Sequence, residues 1–165
     1  MFSYSIDRMV VVTTLIAVLG TGAIAAEEPI AVVVARNSEH AQVGFADIAA
    51  IFRRKRLYWD DGERVIPVNL PAADPRRREF SSSVFGRLPE ELTQYWNEMY
   101  YHGIVPPQVL DSSEAVLRFV AATPEAVGYI PLCQADQRVQ VVLVIGGSDN
   151  DANACRRGSS PTPQK

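Results

Sequence analysis

One stretch constrains this fold more than any other. Val65, Ile66 and Val68 form a short β-branched run, and a few residues later Asp74 is followed by Pro75. β-branched side chains fit a pleated, buried strand. An acidic residue before proline is a strong helix start, because the carboxylate caps free N–H groups and proline has no N–H to satisfy at the first helical position. The helix it opens, PRRREFSSSVF, is closed by Gly86, a residue suited to a left-handed C-cap. The chain upstream reads as a helix from Phe45, with Phe45, Ile48, Ala49 and Phe52 on one face. Arg53, Arg54, Lys55 and Arg56 follow, then an Asp60-Asp61-Gly62 turn. Helix, basic turn, strand and capped helix N-terminus in series is an arrangement that directs backbone N–H groups toward an anion.

The remaining elements follow from periodicity. Ile30 to Ala35 is a continuous apolar run that predicts a buried, central, parallel strand. Pro89-Glu90-Glu91 opens a helix on which Leu92, Tyr95, Trp96 and Met99 share a face, predicting a core stripe. Val105 to Gln108 predicts a loop. Asp111 and Glu114 have capping-box spacing ahead of a helix with Val116, Phe119 and Val120 inward. Val127 to Ile130 and Val139 to Ile145 predict two more strands, with Gly128 marking a close backbone approach. The order is that of an α/β domain with a mixed sheet of about four or five strands flanked by helices.

The ends read differently. Arg8, the apolar run from Met9 to Ala25 and the Ala23-Ile24-Ala25 pattern predict a signal peptide, residues 1–25, cleaved after Ala25. The mature chain then works in the periplasm or outside the cell, with 26–145 as one α/β domain and 146–165 as a polar, disordered tail. In an oxidising compartment the two cysteines, Cys133 and Cys155, are expected to pair, the alternative being two free thiols.

The run Ile51-Phe52, Lys55, Trp59, Asp61-Gly62 and Pro67-Val68, with Thr123 to Ile130 (TPEAVGYI), resembles the second lobe of phosphate ABC transporter substrate-binding proteins. The family motifs read roughly I-F-x-G-K-x-x-x-W-x-D-G and T-P-G-A-I-G-Y-V. The resemblance implies a single lobe of a type II periplasmic-binding-protein fold, and a phosphate or other small-anion ligand. It also implies an envelope or membrane-transporter partner. It covers one lobe, so the wall that would complete an interlobe cleft is not expected here. The loop that carries the family's Arg, Ser, Gly and Thr ligands aligns with Leu70, Asp74, Pro75 and Arg76. Leu70 has no polar side chain, Pro75 removes a donor and Asp74 adds negative charge. Arg76, Arg77 and Arg78, with Asp74, are the ligand-binding candidates by position, and weak or absent phosphate binding is the expectation.

Other chemistries lack a signal. No G-x-S-x-G, H-E-x-x-H or P-loop motif occurs, so neither an enzyme nor a cofactor is expected. His40 and His102 have no metal-ligand spacing, and His40 reads as a solvated loop residue. Arg53 to Arg56 suits either an anion or a solvated helix end. A net charge of −3 argues against a nucleic-acid partner.

Overall fold

The computed structural model describes residues 28–40 and 42–147, together with Asn153 and Cys155. The expected signal peptide lies outside the described residues, and most of the expected tail does too. Among the described residues no helix is long and apolar enough to cross a membrane.

Five strands form one mixed sheet: β1 (Ile30–Ala35), β2 (Ile66–Asn69), β3 (Gln108–Val109), β4 (Ala126–Pro131) and β5 (Val139–Ile145). Their spatial order is β3-β2-β4-β1-β5. Helices α1 (Phe45–Phe52), α2 (Pro75–Phe85), α3 (Thr93–Tyr101) and α4 (Ser113–Ala122) flank it. Strand β2 runs parallel to β3 and β4, so the carboxyl ends of all three point the same way. Strand β1 lies between β4 and β5 and is antiparallel to both. The expectation of a parallel β1 is therefore corrected. Its unbroken apolar run reflects burial of all six residues, which flanking helices impose on either strand direction.

The core joins β1, β2 and β4 to the inner faces of α1, α2 and α4 through Phe52, Phe80 and Tyr129. The Phe80 and Tyr129 rings stack with centroids 4.0 Å apart, and Phe52 meets both at a tilt. Gly128 has the close approach its sequence context predicts. A Cβ there would come within 2.5 Å of Val116 Cγ1 on α4.

Several local expectations are corrected. Phe45, at the first turn of α1, is exposed, and Ile51 takes its place on the buried face. Helix α3 turns the expected face inward but only half-buries it: Trp96 packs on the core, and Tyr95 extends its hydroxyl to Arg53 C=O at 2.6 Å, satisfying a free carbonyl at the end of α1. The cap of α4 is Ser112, whose Oγ accepts from Ala115 N–H at 3.1 Å, while Glu114 turns to Arg138. Gln108 leaves the expected loop and, with Val109, pairs with Val68 and Asn69.

Cys133 and Cys155 form a disulfide with Cα atoms 4.5 Å apart. Cys155 has helical backbone and is buried against the core cluster. The bond ties the segment after β5 to the one after β4, as the cysteine count predicts.

Candidate functional site

The chemistry-bearing side chains gather at the carboxyl end of β2, where the chain enters α2. Asp74 has extended backbone and is the N-cap; its Oδ1 accepts from Arg76 N–H at 2.8 Å and its C=O accepts from Arg78 N–H at 3.1 Å. Pro75 follows without an N–H. The helix end that the sequence marked for an anion is thus closed by its own carboxylate and proline.

The three arginines leave this turn in different directions. Arg76 lies 3.7 Å from the Glu28 carboxylate, and its Nε is buried without a hydrogen-bond partner. Arg77 is buried and donates to Asn69 Oδ1 at the end of β2. The same Asn69 oxygen accepts from the Tyr129 hydroxyl at 3.3 Å, and that hydroxyl in turn accepts from Leu70 N–H at 3.3 Å. Arg78 forms a two-pronged pair with Glu90, both bonds 2.9 Å. Arg76, Arg77 and Arg78 therefore do not converge on one point, and each faces a partner from this chain. Burial pushes the Tyr129 phenol up from its ordinary range, with Arg77 and the Leu70 N–H acting the other way. The hydrogen bonds from Arg78 hold the Glu90 carboxyl below its ordinary value.

Leu70, aligned with a family ligand position, is a core side chain. Its N–H is already engaged by Tyr129. Sequence reasoning missed Asn69, Tyr129 and Glu28 as the groups that organise this corner. Asn69 was legible in principle, because a polar residue ending an apolar strand beside a basic helix start needs a partner.

A second cluster surrounds His40, which corrects its expected place in a solvated loop. Its ring stacks on Trp59 at 4.3 Å and 7°, and Nε2 lies 3.6 Å from Asp61 Oδ2. Trp59 donates to Glu125 C=O at 3.0 Å and pins this stack to the start of β4. The adjoining cavity of about 340 Å³ is lined by Arg56 and Asp60, which pair with each other, and by His40 and Asp61; Arg56 also pairs with Asp47 outside it. Of the four basic residues after α1, Arg53 lies over the Phe85 ring and Arg56 makes these two ion pairs. Arg54 holds positive φ at 59°.

No protein-family model matches the sequence, and no curated protein matches it. Solved structures do match. A phosphate ABC transporter substrate-binding protein with bound phosphate from Clostridium perfringens superposes with a TM-score of 0.58 at 24% identity, covering 70% of this chain and 44% of that one. An ABC-type phosphate transport receptor from Vibrio cholerae gives 0.55 at 16% identity, with 70% and 46% covered. PstS from Borrelia burgdorferi gives 0.55 at 11% identity, with 80% and 54% covered. The fold is that of a single lobe of a phosphate-binding protein. The chain spans about half the length of these structures. At such identities the likeness carries the fold and leaves the ligand chemistry to this chain's own residues.

Proposed function

We propose that this chain is an exported, non-catalytic module that uses a phosphate-binding-protein lobe to contact another envelope protein, and is not a tight phosphate receptor. Residues 1–25 serve as a cleaved signal peptide, 26–145 as the working domain and 146–165 as a polar tail. The domain acts in the periplasm or outside the cell. The observation that carries this reading is the state of the α2 N-terminus. Asp74 occupies the Arg76 N–H, Pro75 has none, and Glu28 and Glu90 face Arg76 and Arg78. Exposed ion pairs such as these are weak, so an anion can displace them. The carboxylates nevertheless stay beside the site and repel a phosphate dianion.

A second reading, a small-oxyanion site at the same turn, is favoured by the buried Arg76 Nε that lacks a partner and by the buried Arg77. A thermal-shift screen of the mature protein against phosphate, sulfate, other oxyanions and small organic acids separates the two. A protein-contact module shows no saturable shift with any of them. A concentration-dependent rise with one anion, lost in Arg76→Gln, favours the oxyanion site.

A further inference from the structure

The described surface carries one groove whose charge is unanswered. It has a volume of about 520 Å³ and lies along the start of β2, between Arg54 and Arg64 on one side and Val105, Pro106 and Pro107 on the other. Its floor is Val65, Ile66 and Pro67, and Gln108 closes one end. Neither Arg54 nor Arg64 forms an ion pair among the described residues. Arg56, Arg76, Arg78, Arg118 and Arg138 do, while Arg36, Arg53 and Arg77 donate to neutral oxygens of this chain. Arg54 donates only a long 3.5 Å bond to Val65 C=O, and its Nε is buried with no partner. Burial, and then the neighbouring Arg64 charge, lower its pKa. A half-buried guanidinium with an unpartnered Nε beside a second, exposed cation is an arrangement that a carboxylate would relieve.

The backbone beside the groove is also unanswered. Strand β3 is an edge strand. Leu110 N–H bonds to Asn69 C=O at 2.8 Å, and Gln108 is the residue paired with Val68. Alternation in a parallel ladder then turns the Val109 N–H and C=O away from β2. Val109 and Val105 expose about half of their surface, 55% and 53%. An open strand edge with flanking apolar side chains is a template for an added extended chain.

We infer that this groove docks an extended acidic segment of a partner protein, with small apolar side chains on the Val65–Pro67 floor and carboxylates on Arg54 and Arg64. The chain's net charge of −3 makes the basic groove a local exception and disfavours nucleic acid as the occupant. This rests on the protein-contact reading above and adds the partner's chemistry and its seat.

The test is fluorescence anisotropy with a labelled peptide of alternating Glu and Val, a Lys and Val peptide, and an oligothymidylate. Each is titrated against the mature protein and against Arg54→Gly/Arg64→Glu. Glycine keeps the positive φ at position 54, and position 64 is exposed, so the double variant should fold, which circular dichroism verifies. The expected result is salt-sensitive, saturable binding of the Glu and Val peptide only, weakened about tenfold or more in the variant, as loss of a charge-assisted hydrogen bond requires. Equal binding of the peptide to the variant overturns the groove while leaving the protein-contact reading standing. Preference for the oligothymidylate, or self-association abolished by the variant, assigns a different occupant and overturns the acidic-peptide claim. Absence of peptide binding overturns the groove too. Only a saturable shift with one of the anions in the thermal screen, lost in Arg76→Gln, removes the broader reading.

Discussion

Tyr129 is the residue on which the candidate site most depends. Its hydroxyl accepts from Leu70 N–H and donates to Asn69, which also receives Arg77, so one phenol links β4, the end of β2 and α2. Tyr129→Phe keeps the ring stack on Phe80 but strands the buried Leu70 N–H. The expected loss is about 1–3 kcal/mol in chemical denaturation. The phenol also predicts an alkaline signature. Burial raises its native pKa, so the unfolded chain ionises first, near the ordinary tyrosine value of about 10. Between that value and the raised native one, the native state binds more protons. This contribution to stability is complete below the unfolded pKa and is lost as pH rises through the native pKa. Denaturation at a series of alkaline pH values should show the decline in the parent and a shallower one in Tyr129→Phe. At this scale the sequence was legible where one residue acts alone, as with Asp74 capping α2 and Gly86 closing it at φ 66°. It was not legible where partners come from distant segments. Glu28 meeting Arg76 and Glu90 meeting Arg78 depend on the fold.

Among the elements, the α4–β4 contact is the tightest the sequence foreshadowed. A methyl group at position 128 would meet Val116 Cγ1 at 2.5 Å, Val68 Cγ2 at 3.0 Å and Val120 Cγ2 at 3.1 Å. Gly128→Ala should therefore force α4 from the sheet and cost about 1–3 kcal/mol, read from the denaturation midpoint. Ser112→Ala at the α4 cap is the milder comparison on the same helix, at about 1 kcal/mol. Periodicity identified most helices and strands because their buried faces are long apolar patterns. It overestimated the burial of α3, whose Tyr95, Trp96 and Met99 face inward as the spacing requires yet stay half-buried. It also failed for the direction of β1, since burial on both faces does not distinguish parallel from antiparallel neighbours.

At the scale of the whole molecule, the disulfide and the closed α2 N-terminus set behaviour. The Cys133–Cys155 bond closes a loop with a sequence separation of 22 and secures the segment beyond β5. Cys133→Ser/Cys155→Ser should lower stability by about 3 kcal/mol in the chain-entropy model. Thiol counting on the parent under denaturing, non-reducing conditions should find no free cysteine. The fold was legible from short motifs such as Trp59 with Asp61-Gly62 and the Thr123 to Ile130 run, because these sit at turns and strands that any such lobe requires. Ligand chemistry was legible only as a conflict, through Leu70, Asp74 and Pro75. The most direct measurement is calorimetric titration of the mature, oxidised protein with inorganic phosphate. The prediction is no saturable heat, meaning a Kd weaker than about 1 mM. Saturable binding tighter than that, abolished by Arg76→Gln or Arg77→Gln, would contradict it and make the α2 N-terminus an anion seat.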